Sequence, residues 1–380
     1  MDRDSLRLAF CANVFPGETP EEVFEAVRGP GADLASRRGG ALGYGLYLAA
    51  EAAHFFAQNS QQCEALKEHC KSSGLEIWTA NAFPYGGFHG ASVKEKAFLP
   101  DWSDPRRVRF TLDVARTLTH LAPQEDLITI STCPLGYGRN EALEKSAALH
   151  LREVQDGILE IERDWGGRIV LGLEPEPDGG FETVADACSW VAAEIPDPGD
   201  GLRVGICWDL CHGAVVGENA AVALQALQNT CVPLAKVQIS SALRIRGPLM
   251  GEDLLSLELL ASDPWFHQVR GGLEGEGERA WPDLKLFLDD IPVGSRVDAR
   301  IHCHVPLTGP ALGEGLTRTP WEDDLKLAVQ SGCFDFEVET YTLPFLPDSW
   351  KHSAGLLGTL AEEIEAASRC LELDSTCHGN

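Results

Sequence analysis

Short, nearly continuous apolar runs alternate along this chain with longer stretches in which apolar positions recur every three or four residues. The short runs lie at 7–14, 43–49, 75–83, 127–133, 169–174, 204–209, 234–240, 300–306 and 334–340. Brevity and unbroken apolar character are the mark of parallel strands covered on both faces. The stretches between them carry helix grammar. Thr19-Pro20-Glu21-Glu22 combines a capping box with proline at the first helical position, and Asp104-Pro105 and Thr319-Pro320-Trp321-Glu322 repeat it. From Asn140 to Trp165 the residues Leu143, Ala147, Leu151, Val154, Ile158 and Ile161 share one helical face, and Gly166-Gly167 ends the pattern.

Strand and helix in alternation predict βαβ units and a parallel sheet. Two architectures satisfy this: a closed (β/α)8 TIM barrel and an open doubly wound sheet. No Gly-x-Gly-x-x-Gly follows the first strand, which favours the barrel. Nine strand candidates exceed eight by one, so either 300–306 or 334–340 is an added strand or part of an excursion after the seventh. The stretch 244–299 is long and glycine-rich at Gly271-Gly272 and Gly275-x-Gly277, as a lid or inserted subdomain would be. No linker divides the chain, and residues 1–380 read as one barrel domain.

Charge narrows the partners. With 58 Asp and Glu against 31 Lys and Arg, the net charge of -27 repels phosphate backbones and anionic membrane surfaces. The densest basic cluster, Arg106, Arg107 and Arg109, opens a predicted helix and is expected to face water. The 12 cysteines include no Cys-x-x-Cys pair, and several sit inside apolar runs. With no secretory leader at the start and no apolar stretch long enough for a bilayer, the expectation is a reduced, cytoplasmic protein without membrane insertion.

The chemistry-bearing residues gather at strand ends. In a parallel barrel the C-terminal strand ends share one face, where active sites are built. Glu174 ends the run 169–173; Asp209 ends 204–208 and has His212 one turn later. His302 and His304 alternate on one strand face, as do Glu337 and Glu339. Paired carboxylates are costly to bury without a cation. Carboxylate with imidazole suits a divalent ion such as Zn, Mn, Fe or Co, with Mg a harder alternative. The expected ligands are Glu174, Asp209, His212, His304 and Glu339, with Glu174 and Glu339 also moving protons. Glu337 is expected to support Glu339 from behind, and Glu176, after Pro175, is expected in a solvent-facing loop. Substrate contacts are expected from Asn81, His89, Gln238, His267 and His302. No Gly-x-Ser-x-Gly elbow supports serine catalysis.

The order Glu174, Asp209-x-x-His212, Glu339 resembles the metal-site order of the xylose-isomerase-like TIM barrels. Within that superfamily the chain resembles the EboE-type metabolite traffic proteins. The motifs are the stretches 11–19, 81–90, 99–102, 131–137, 302–306 and 337–342. The resemblance implies a cytosolic barrel from a biosynthetic cluster that processes or exports secondary-metabolite precursors, with other proteins of that cluster as partners. It also exposes a departure: superfamily epimerases usually offer histidine at the end of the seventh strand, where this chain has Gln238. Either His304 or His267 fills the vacancy, or the centre differs in nuclearity. Three functions therefore stand open. The first is a metal-dependent isomerase or epimerase acting on a small hydroxylated or carbonyl metabolite. The others are a hydrolase with a multinuclear centre and a non-enzymatic metabolite carrier.

Overall fold

The computed structural model describes residues 6–87, 94–263, 265 and 267–375. Its central element is a closed barrel of eight parallel strands. In chain order they are Arg7–Cys11, Leu42–Tyr47, Leu75–Glu76 continued by Thr79–Asn81, Leu127–Thr132, Arg168–Leu173, Val204–Asp209, Leu234–Ile239 and Asp335–Val338. Closure comes from the first strand, which pairs with both the second and the eighth. Arg7 fastens that seam: its guanidinium binds Asp335, its register partner, at 2.6 Å and Glu125 at 2.7 Å. The strands are apolar and buried almost throughout because helices cover the outside and side chains fill the inside.

The ninth strand candidate is not in the barrel. Arg296–His304 is the central strand of a separate five-stranded antiparallel sheet, with Val269–Leu273, Arg279–Trp281, Ala242–Pro248 and Leu316–Arg318. All five strands fall between the seventh and eighth barrel strands. The strand alternates exposed and buried positions at its start and becomes wholly buried only at its end, where it meets the barrel mouth. The fully buried end produces the apolar run at 300–306, which a barrel strand would also show.

Helix termini follow the side-chain grammar in most places. Thr19 and Glu22 make both halves of a capping box, Asp104 caps Pro105–Leu121, and Asn140 caps Glu141–Trp165, which ends at Gly166 with φ 96°. Thr319 departs from it. The helix begins at Glu322, and the Thr319 hydroxyl instead accepts from the Ala242 amide at 2.8 Å, tying the inserted sheet to its own base. The eleven cysteines among the described residues are free thiols, ten of them buried. Among the described residues no helix is long and apolar enough to cross a membrane.

The C-terminal helix, Gly355–Ser375, is pinned to the loop after the eighth strand by Glu363. That carboxylate accepts from Leu307 N and Thr340 Oγ1, both at 2.9 Å. Burial pushes Glu363 up to about 7, against which its two hydrogen bonds and Arg318 pull. A carboxyl raised in the folded state binds a proton the unfolded chain has released, so stability falls as pH rises from about 4.5 to about 7 and is level above that. Glu363→Gln is expected to flatten this slope, worth on the order of 3 kcal/mol, in urea midpoints measured between pH 5 and 8.

Candidate metal centre

The barrel's C-terminal face gathers carboxylates and imidazoles from four places. Glu174 follows the fifth strand, Asp209 ends the sixth, Glu339 follows the eighth, and His302 and His304 arrive from the inserted sheet. Asp209 caps the short helix Leu210–Val216 by accepting from His212 N at 2.8 Å, and that bond places His212 one turn along beside it. The same Asp209 oxygen accepts from Ser240 Oγ at 2.9 Å. The ligating atoms of Glu174, Asp209 and His212 lie within 4.8 Å of one another, as do those of His212, His302 and His304, and those of Asp209, Cys211 and His304.

The hydrogen bonds fix the imidazole tautomers. His212 Nδ1 lies 3.1 Å from Pro175 O and His304 Nδ1 lies 3.1 Å from Glu339 O, so both must donate there. Gln268 donates through Nε2 to Pro177 O, which leaves its Oε1 to accept from His302 Nδ1 at 2.8 Å. In their neutral forms all three rings therefore carry hydrogen on Nδ1 and a lone pair on Nε2. His212 Nε2 and His304 Nε2 face each other at 3.3 Å, and His302 Nε2 is buried without a partner. Two lone pairs at that distance repel unless something electron-poor stands beside both. The spacing is about that of two imidazole nitrogens on one zinc-sized ion.

The carboxylates tell the same story. Glu174 Oε2, Asp209 Oδ2 and Glu339 Oε2 are buried with no N–H or hydroxyl donor, and Asp209 and Glu339 lie side by side as a carboxyl pair. Burial, then the neighbouring charges of Glu339, Asp209 and Glu176, push Glu174 well above the usual carboxylate range. Burial and then Asp209 do the same to Glu339 and to Glu176. Burial also raises Asp209, but His212 and His304 more than offset it and leave Asp209 lowered. Burial takes His212 down to about 4, and pushes His302 well below its ordinary value. Burial thus disfavours the anions of Glu174, Glu176 and Glu339 and the imidazolium ions of His212 and His302, a combination that one divalent cation relieves. The donor set fits such an ion.

No family model and no curated protein matches this chain in sequence. Solved structures do match in three dimensions. A sugar phosphate isomerase/epimerase, provisionally assigned, from Anabaena variabilis has a TM-score of 0.53 at 11% identity, covering 97% of this chain and 99% of that one. D-psicose 3-epimerase, solved in the presence of D-fructose, gives 0.51 at 12% identity over 96% and 97%. A xylose isomerase domain protein from Alicyclobacillus acidocaldarius gives 0.50 at 15% identity over 97% and 99%. The shared fold is the (β/α)8 TIM barrel.

Of the expected ligands, Glu174, Asp209, His212 and His304 bring ligating atoms together in overlapping groups, joined by His302, while Glu339 lines the same cavity beside Asp209. Of the two histidines available to stand in for the absent one at Gln238, His304 reaches the cluster. His267 does not: its Nδ1 binds His302 O at 2.8 Å and its Nε2 binds Asp263 at 2.7 Å, so it braces the site from behind. Gln238 is likewise withdrawn from substrate contact; its amide oxygen accepts from the Cys207 thiol at 3.2 Å inside the barrel. Asn81 lines the cavity, its Oδ1 held by Phe83 N. His89 lies outside the described residues. Glu337 is turned away from the centre to pair with Lys236 at 2.6 Å.

Several participants carried no mark in the sequence. Glu176, expected in solvent, is 5% exposed and sits 4.0 Å from His212 Nε2. The chain turns back after Pro175, Glu176 N bonding Phe181 O at 3.0 Å, and so points the side chain inward. Asn13 donates to Glu339 Oε1 at 2.6 Å. The cavity above the centre, about 60 Å³ and open to solvent at its mouth, is also lined by Phe83, Phe98, Trp265 and Tyr341.

Arg107 corrects another expectation. Its neighbours Arg106 and Arg109 are exposed, but Arg107 is fully buried and donates to the carbonyls of Pro100, Ala82, Phe83 and Phe98. It therefore staples the loop that forms one wall of the cavity. Arg107→Met strands these carbonyls and is expected to cost at least about 3 kcal/mol in chemical denaturation.

Proposed function

We propose that this barrel is a divalent-metal-dependent isomerase or epimerase acting on a small hydroxylated or carbonyl metabolite. The observation that carries the reading is the set of three imidazoles tied by Nδ1 and bare at Nε2, beside three buried carboxylate oxygens with no N–H or hydroxyl donor. Tied outer nitrogens are the usual support of metal-binding histidines. Glu174, Asp209, His212, His304 and Glu339 would hold the ion, with His302 adjacent; the imidazole-rich set favours Zn, Mn, Fe or Co over Mg. When bound, the ion supplies Lewis-acid polarisation of neighbouring substrate oxygens.

The protein's own groups do the rest. Glu174 and Glu339, both raised by burial, stand where one could take the proton from the carbon beside a carbonyl and the other return one. Asn13 holds Glu339 in place, and Asn81 lines the cavity where substrate hydroxyls would lie. The epimerase and isomerase descriptions of proteins sharing this fold support the reaction class. The EboE-type motifs support a cytoplasmic setting among the proteins of a secondary-metabolite cluster, in processing or export of a precursor.

A second reading, a hydrolase with a multinuclear centre, is favoured by one observation: the overlapping ligand groups include more donors than one ion uses. Elemental analysis of the metal-reconstituted protein separates the two. One ion per chain, with metal-dependent deuterium incorporation beside the carbonyl of ketoses in D2O, is the expected result. Two or three ions favour hydrolysis. Metal and ligand binding without turnover makes the protein a carrier, and failure to retain any metal overturns the proposal.

A further inference from the structure

The cavity has two chemically distinct parts. Its floor is the carboxylate and imidazole centre; its walls are aromatic. Phe83 and Phe98 pack edge to face with ring centroids 5.3 Å apart, and Trp265 packs likewise on Tyr341 at 5.4 Å. Both pairs are held from behind. Arg107 binds the carbonyls of Phe83 and Phe98, and Asp263 accepts from Trp265 N at 2.8 Å while its other oxygen engages His267. Pre-set aromatic faces bind flat or apolar groups with little ordering cost. Among the described residues, the cavity lining contains no lysine or arginine. Arg107, behind one wall, spends its donors on backbone carbonyls, and Arg270, whose charge reaches His302, is paired with Asp178 and Glu182.

From this we infer that the substrate is uncharged, a hydroxylated or carbonyl-bearing group joined to an apolar or aromatic substituent, and not a sugar phosphate. The hydroxylated end sits at the floor and the substituent lies along the Phe83–Phe98 and Trp265–Tyr341 pairs. A phosphate there would find no side-chain cation in the described lining and would face Glu174, Glu176 and Glu339. This inference rests on the proposed small-metabolite chemistry of the same site and adds the class of molecule.

The test is calorimetric binding to the metal-reconstituted full chain, using glucose, glucose 6-phosphate and phenyl β-D-glucoside as probes. Phenyl glucoside is expected to bind at least about tenfold more tightly than glucose, which corresponds to about 1.4 kcal/mol, and glucose 6-phosphate no more tightly than glucose. Trp265→Ala and Phe83→Ala are each expected to bring the phenyl glucoside to glucose ratio close to one. Circular dichroism and thermal melting establish that each variant is folded, and two separate variants guard against one failing to fold. Tighter binding of glucose 6-phosphate, equal binding of glucose and its phenyl derivative, or no binding of the phenyl derivative overturns the inference. The metal reading fails differently: a chain that retains no ion yet still prefers phenyl glucoside keeps the aromatic subsite and loses the centre.

Discussion

Replacing Asp209 with Asn and His212 with Ala in one chain is expected to lower divalent-metal affinity by a factor of roughly 10³ or more. The two residues enter the centre as a unit. Asp209 caps the helix that carries His212, both belong to the group of ligands around Glu174, and removing them takes away one carboxylate and one bare imidazole nitrogen. Two readouts check this: metal per chain after desalting, and the rise in Tm on adding metal. At a thousandfold excess over Kd the wild-type protein gains about 4 kcal/mol from the ion, and the double variant is expected to gain almost none. Full occupancy in the double variant removes Asp209 and His212 from the ligand set. Asp209→Asn keeps the side-chain oxygen that caps the helix, so its effect reports charge and ligation more than folding.

The largest stability effect is expected from Lys236→Met. Lys236 lies inside the barrel, 1% exposed, with Nζ 2.6 Å from Glu337 and 3.0 Å from Thr79 Oγ1. Burial alone lowers a lysine, but Glu337 more than reverses this and keeps Lys236 charged. The partner has no alternative: Glu337 is 0% exposed and its second oxygen already lacks a donor. Even the backbone is arranged around it, since a Cβ on Gly45 would lie 1.8 Å from that oxygen. An uncompensated carboxylate at this depth costs about 3–5 kcal/mol, measurable as a shift in the urea midpoint. Lys236→Met combined with Glu337→Leu is expected to recover much of the loss, because no charge is then stranded. If the single variant matches wild type, the pair is not what holds the barrel interior.

The sequence made the barrel legible because buried parallel strands leave apolar runs that survive without tertiary information. Strand order within the ring was less legible. The run at 300–306 is apolar because its end docks at the barrel mouth, and burial alone does not say whether a strand's neighbours are parallel. Glu174, Asp209, His212, His304 and Glu339 were found because each sits at or just beyond a strand end, where direction follows from position. Glu176 was missed because a turn after Pro175, invisible in local composition, reverses its direction. Arg107 was missed because its partners are loop carbonyls, which have no letter code. Gln238 and His267 were placed in contact with substrate because residue type was informative and side-chain direction was not; their hydrogen bonds to Cys207, His302 and Asp263 hold them out of the cavity.

The centre is assembled from two separate sheets. Glu174, Asp209, His212 and Glu339 belong to the eight-stranded ring, while His302 and His304 are carried by the antiparallel sheet inserted before its last strand. An ion bound as proposed would act as a clasp across that seam. Amide hydrogens of Arg296–His304 should therefore exchange with solvent more slowly in the loaded protein than in the stripped one, while the far end of the ring, near Arg7, is indifferent to loading. Evolution could also exchange the inserted sheet for another and so re-equip the same ring with a different half of its ligand shell.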